Sequence, residues 1–297
     1  MTALSCALLC CAAYGGARAS ASPGGNSRGE LAFGGVQRTY QLHVPAGLDR
    51  PAGLVLNLHG AGLTGSEQAA ITNYDAVADR YGFVVAHPDG IDLSWADGRG
   101  ASIPDRQGVD DVGFLTALVD RLVHDYGIDP GRVFATGMSA GAFMANRLAC
   151  DRADVVAAIA PVAGTLGSGV PCAPSRPVAV LETHGTADPV VPFDGGPMQG
   201  RGGASDAVAA PAMASRWRDL DGCPPPSVPT AGDGTGVHRL VADGCAGGTE
   251  VAFVTIDGGG HTWPSGRFSL PVEAVGSTTE AFNASDASGQ FFAAHGR

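Results

Sequence analysis

The chain has 297 residues, with 18 strong bases (all arginine) against 29 carboxylates and a formal net charge of −11. Hydrophobic residues make up 44 % and charged residues 16 %, a globular balance, and the acidic surplus excludes the basic stripe that a nucleic acid or an anionic membrane needs. The 45 glycines and 20 prolines are scattered as turn pairs, which excludes a collagenous or low-complexity chain, and the length suits one large α/β domain with a sizeable core.

Residues 1–21 read as a targeting segment. Ala3 to Ala13 is an apolar run too short to span a bilayer. It is followed by A-x-A patterns at 17–19 and 19–21, the h-region and cleavage site of a secretory signal, although a basic n-region is missing. Cys6, Cys10 and Cys11 raise a lipoprotein anchor as the rival, but none has a Leu-x-(Gly/Ala) approach. No later run reaches the roughly 18 apolar residues of a transmembrane helix. The expectation is an exported, soluble, monomeric protein whose residues 22–297 form a single catalytic domain. Its remaining cysteines are Cys150, Cys172, Cys223 and Cys245. An even number in an exported chain suggests two disulfides, and four cysteines allow three pairings. Sequence neighbours give Cys150–Cys172 and Cys223–Cys245, each pair 22 residues apart. No C-x-x-C occurs, so no zinc site is expected.

Along the chain, Arg38 to Val44 alternates and predicts a half-exposed strand. Gly53 to Leu58 is apolar and glycine-bounded, which suits a buried parallel strand. Helical spacing runs from Ser66 to Tyr81, and Gly82 to Ala86 predicts another buried strand. Asp110 to Tyr126 is the clearest helix, with one apolar stripe and an aspartate at its start. A strand at Arg132–Thr136 and a helix at Ser139–Cys150 follow, then strands near 155–160, 178–183 and 251–256. Helices near 207–220 and at the end, through Phe291 and Phe292, complete the set. Such alternation predicts an α/β fold, a mostly parallel central sheet with helices on both faces. Three stretches, 89–108, 193–205 and 264–278, lack periodicity; loops this long predict walls for a site.

The chemistry falls at strand ends. Gly137-Met138-Ser139-Ala140-Gly141 is a G-x-S-x-G between a strand and a helix, the context of a nucleophile elbow. In the α/β-hydrolase order an acid and then a histidine follow the serine. Asp188 stands just after VAVLETHG, and His261 just after VAFVTID, behind three glycines that allow an imidazole to reach over the site. The other histidines compete less well: His87 and His184 precede the position from which a loop can reach, and His59 is read as a loop-holding residue. Leu58-His59-Gly60-Ala61-Gly62 occupies the place of the second oxyanion donor. Ala140 N–H is the first donor and Ala61 N–H the second, with Gly62 its rival. Trp95 and Trp263 are the aromatics expected to stack on a substrate. This chemistry calls for no cofactor and no metal.

These residues carry a family resemblance. LHGAG at 58–62, SWADG at 94–98, GMSAG at 137–141, HGTADPVVP at 184–192, WRDLDGC at 217–223 and GGGHTWP at 258–264 resemble the exported polyhydroxybutyrate depolymerase and type C feruloyl esterase family, a branch of the α/β hydrolases. The resemblance implies a secreted serine esterase of the α/β-hydrolase fold, with Ser139 as nucleophile, Asp188 as acid and His261 as base. Cys150 and Cys223 fall at the family's cysteine positions. The chain departs from the family at Leu93-Ser94-Trp95-Ala96, where cysteines often stand, and it ends after its last helix, where polymer depolymerases carry an adsorbing domain. The implied substrates are hydroxybutyryl polyesters or oligoesters and feruloyl or acetyl polysaccharide esters. An acyltransferase of the same fold, with a sugar hydroxyl as acceptor, is the alternative. A non-catalytic wall-binding module is opposed by the survival of all three triad types in order.

Overall fold

Alternation along the buried strands sorts side chains into two layers, and the architecture follows from that. The structure, a computed structural model, describes residues 24–227 and 234–297, so the signal segment read at 1–21 and its three cysteines lie outside the described residues. The elements are β1 (Gly25–Phe33), β2 (Val36–Val44), β3 (Gly53–Leu58), α1 (Gly65–Thr72), α2 (Tyr74–Tyr81) and β4 (Phe83–Pro88). Next come α3 (Ile103–Arg106), α4 (Asp111–Tyr126), β5 (Val133–Met138), α5 (Ala140–Asp151), β6 (Ala158–Val162) and β7 (Ala179–Gly185). The chain continues through β8 (Gly196–Gly200), β9 (Gly203–Ala207), α6 (Ala210–Leu220), β10 (Val237–Ala242), β11 (Val251–Ile256), α7 (Val272–Val275) and α8 (Ala284–Ala294).

Nine strands form one sheet in the order β1-β2-β4-β3-β5-β6-β7-β11-β10. From β4 to β11 the neighbours are parallel. The edges β1, β2 and β10 are antiparallel. Leu54, Leu56 and Leu58 of β3 enter one core with Phe114 and Leu118 of α4, Met144 of α5 and Trp217 of α6. Val55, from the same strand, enters the other core with Tyr74 and Val77 of α2 and Phe291 and Phe292 of α8. Helices therefore cover both faces, as the unbroken apolar strands require. The expected fold class stands.

The helix expected over 66–81 is two. Asn73 sits at φ 50°, ψ 36°, closing α1 as a left-handed cap and starting α2. Asparagine tolerates that conformation, and the apolar spacing does not register the break. The expected strand and helix spans elsewhere agree to within a few residues. β1 and β10 carry little apolar alternation and escape the sequence reading. So does the β8–β9 hairpin, within a stretch read as aperiodic. Two disulfides, Cys150–Cys172 and Cys223–Cys245, take the neighbour pairing. The first pins the end of α5 and the second the segment after α6. No helix among the described residues is long and apolar enough to cross a membrane.

Candidate active site

β5 ends against a tight turn that depends on the glycines on either side of it. Ser139 sits at φ 56°, ψ −122°, a sparsely populated backbone state for a residue with a side chain. Its N–H is held by Val162 O at 3.0 Å, and its own carbonyl receives the N–H groups of Ala142 and Phe143. A Cβ on Gly137 would stand 2.6 Å from Leu58 O, and one on Gly141 only 2.1 Å from the same atom. The two flanking glycines thus let the elbow press onto the end of β3. That is the physical content of G-x-S-x-G here. A Cβ on Gly60 would lie 3.5 Å from Ser139 Cβ, so the loop after β3 passes directly over the serine.

Asp188 and His261 come from the carboxyl ends of β7 and β11, on the same sheet edge. His261 Nδ1 lies 2.8 Å from Asp188 Oδ2. With the carboxylate as acceptor, the proton is on Nδ1 and Nε2 is left as the basic nitrogen. Asp188 Oδ1 accepts the N–H groups of Val190 and Val191, both at 2.8 Å, so its carboxylate cannot rotate freely. The main chain of His261 is fixed in turn by Val275 O at 2.5 Å, and Gly260 N–H by Ser277 O. Glycines allow that crossing as well: a Cβ on Gly260 would meet Val275 O at 2.1 Å. His184, set aside on sequence grounds, touches this pair from below. Its Nε2 is 3.0 Å from Val191 O and 3.5 Å from Asp188 Oδ2, and burial holds its pKa below the usual histidine range.

The loop over Ser139 is held by His59. Gly90 N–H donates to His59 Nε2 at 2.9 Å, which leaves the proton on Nδ1 for Gly60 O, also at 2.9 Å. Burial lowers the pKa of this histidine too, in keeping with a neutral ring that bonds at both nitrogens. Gly62 N–H is taken by Leu93 O at 2.8 Å. Among the described residues nothing accepts the Ala61 N–H. The Ala140 N–H opens α5 and has no partner within the helix.

The two tryptophans are not where the sequence reading put them. Trp95 is fully buried, its indole N–H donates to His59 O at 2.9 Å, and its ring packs 4.8 Å from the His59 ring. Trp263 is 2 % exposed and donates to Ser285 Oγ, which donates on to Thr72 O. Neither face is open to a substrate. Both rings are packing groups, Trp95 against His59 and Trp263 against Ser285. An indole with its N–H satisfied in the interior is the lower-energy use of that side chain. Sequence reasoning also missed Arg201, at the tip of the β8–β9 hairpin. It donates to Asp92 O at 2.5 Å, and its side chain lies over Gly62. Asp92 and Leu93 are at φ 51° and 53°, and no sequence signal marks that pair.

Residues 38–223 match the model of the family described as esterase PHB depolymerase. Feruloyl esterase C of Emericella nidulans is 31 % identical over 288 residues, which cover 92 % of this chain and 91 % of that protein. Feruloyl esterase B of Piromyces equi is 31 % identical over 254 residues, 79 % of this chain and 46 % of that protein. Among solved structures, acetyl xylan esterase from Aspergillus awamori superposes with a TM-score of 0.57 at 18 % identity, covering 80 % of this chain and 94 % of that one. At that identity the likeness speaks for the α/β-hydrolase fold alone.

Proposed function

The chain belongs to the PHB depolymerase esterase family, a carboxylic ester hydrolase, and from that premise we propose that it is a secreted enzyme working through Ser139, His261 and Asp188. The observation that carries this reading is the 2.8 Å pair of His261 Nδ1 and Asp188 Oδ2, at the carboxyl end of the same sheet whose β5 runs into a serine in a strained elbow. Ser139 Oγ attacks the ester carbonyl, and His261 Nε2 takes its proton. The tetrahedral oxyanion is met by the N–H groups of Ala140 and Ala61, both without a competing acceptor among the described residues; Gly62 is a poorer donor because Leu93 O already holds it. His261 then protonates the leaving alkoxide, and water activated by the same nitrogen hydrolyses the acyl-enzyme. Asp188 keeps the proton on Nδ1 throughout.

The substrate class is an uncharged ester: a feruloyl or acetyl group on a cell-wall polysaccharide, or a hydroxybutyryl oligoester. Relatives named as feruloyl esterases favour the first. Two disulfides suit an oxidising compartment and therefore export, with residues 22–297 acting as one monomeric catalytic domain. A hydrolysis panel of methyl ferulate, acetylated xylan and polyhydroxybutyrate, run on wild type and Ser139→Ala, tests the reading. Wild type is expected to cleave at least one ester, and a fluorophosphonate is expected to label it at Ser139. Undiminished labelling and turnover in Ser139→Ala would remove the triad.

A further inference from the structure

Two buried polar side chains on the strand that leads to Asp188 have no role in the steps above. His184 is 1 % exposed and Glu182 is fully buried, both on β7. Residues two apart on a strand share a face, with Cα atoms about 6.6 Å apart. That face looks onto an apolar layer: the β11 partner of Glu182 is Phe253, which packs on Ala210 and Ala214 of α6. Phe193 stands edge-on to the His184 ring.

The hydrogen-bond inventory of this pair is complementary. His184 Nε2 faces two acceptors, Val191 O at 3.0 Å and Asp188 Oδ2 at 3.5 Å, so it carries the ring proton. Nδ1 is then a bare acceptor. Among the described residues it is buried without a partner, and so are both oxygens of Glu182. An ionised carboxylate in that layer would be too costly, and burial drives the Glu182 pKa well above the carboxylate range. Glu182 is therefore a neutral acid with one proton to donate, on the same face as an imidazole nitrogen that needs one. One buried water between the two would satisfy both.

We propose that His184 is a positioning residue for Asp188, and that Glu182 fixes its tautomer through one water from the α6 side of the sheet. The proposal rests on the triad reading. Asp188 Oδ2 would then face two N–H groups, His261 Nδ1 from above and His184 Nε2 from below. His184 would limit the swing of the carboxylate and so the aim of the catalytic imidazole.

The test compares amides that reach different atoms. His184→Gln can place an N–H where Nε2 stands, whereas His184→Asn reaches only the Nδ1 position. A merely structural polar role treats the two alike. With p-nitrophenyl acetate, and with circular dichroism matched to wild type, kcat is expected to fall about 30-fold in His184→Asn and about 5-fold in His184→Gln, with KM within about twofold. Glu182→Leu is expected to lower kcat about 5-fold, and Glu182→Gln, which keeps a donor, to recover most of it. Because Glu182 acts through His184, the double variant Glu182→Leu/His184→Asn should be no slower than His184→Asn alone. Asn and Gln variants within about twofold of each other, or a double variant slower by the product of the two single effects, would overturn the proposal. Fluorophosphonate labelling of Ser139→Ala separates the two readings. Labelling at the wild-type rate removes the triad itself. If Ser139→Ala is unlabelled while the His184 variants react like wild type, the triad stands and this proposal fails.

Discussion

Ser139 stands between two supports that differ in range. On the acid side the contacts are local: Asp188 is gripped by the N–H groups of Val190 and Val191, two and three residues further on. On the oxyanion side they are distant. His59 receives Gly90 N–H from 31 residues away and Trp95 N–H from 36, and Arg201 reaches Asp92 across 109. A local support persists wherever its short segment folds. A distant support exists only once the rim loops have closed over it. The setting of Asp188 is therefore fixed by a short motif, and that of the loop at 58–62 by the packing of residues 89–95 and the β8–β9 hairpin.

Breaking the acid side should cost most. Asp188→Asn is expected to lower kcat about 10⁴-fold, because the amide no longer selects the imidazole tautomer with its proton on Nδ1. Ser139→Ala and Ser139→Ala/His261→Ala should be almost equally inactive, with about 10⁶-fold losses, since members of the unit are not additive. Steady-state kinetics on a p-nitrophenyl ester would show both. A double variant slower than Ser139→Ala by another large factor would mean that His261 acts outside the unit.

Breaking the oxyanion side should cost less. Ala61→Pro deletes one N–H and is expected to lower kcat about 10²–10³-fold with KM little changed, because the donor acts on developing charge. Gly62 is poorly placed to take over while Leu93 O occupies its N–H. A kcat for Ala61→Pro within a factor of a few of wild type would assign the second donor elsewhere.

The same difference in range explains what was legible in the sequence. The strands at 53–58 and 251–256 and the elbow at 137–141 are contiguous and apolar or glycine-marked, and their spans agree with the structure. HGTADPVV holds Asp188 through bonds that close within that motif, whereas the glycines of GGGHTWP only permit the approach of Val275 and Ser277, whose carbonyls fix the main chain of His261 and Gly260. Trp95 shows where such reasoning stops. An aromatic in an aperiodic loop looks like a substrate platform, yet its indole N–H is used by His59 O, a partner named by folding alone. The β8–β9 hairpin is rich in glycine and poor in β-branched residues, so nothing in its composition announces strands. Asn73 divides a continuous helical pattern by one left-handed residue.

A pH measurement sharpens the contrast without touching the chemistry. His59 is buried and neutral, its pKa held below the usual histidine value by burial. A folded-state pKa below the unfolded one means that the unfolded chain binds the extra proton first. Stability from this group is complete above the unfolded value of about 6.5 and is lost as pH falls below it toward the folded value. Protonation would also put a proton on Nε2, facing Gly90 N–H. His59→Gln cannot take up that proton. Its thermal midpoint should therefore fall less steeply than that of wild type between about pH 6.5 and 5. Parallel melting curves across that range would place the acid sensitivity in another group.

The smallest effect should come from Arg201. Its pair with Asp92 spans 3.2 Å between side chains that are 44 % and 38 % exposed. A surface pair of this kind contributes about 0–1 kcal/mol and weakens with salt. Its leverage is positional: Asp92 precedes Leu93, whose carbonyl holds Gly62 N–H beside the oxyanion donor. Removing Arg201 leaves that carbonyl on a loop with two consecutive positive-φ residues and one fewer restraint. Arg201→Ala is expected to lower kcat about two- to fourfold at low ionic strength, and the gap to wild type should close in about 0.5 M salt, where the wild-type pair is screened as well. KM for a small ester should not move. A loss larger than tenfold, or one that persists in salt, would mean that Arg201 meets the substrate itself; the hairpin would then be a wall of the acyl pocket instead of a brace for the loop beside it.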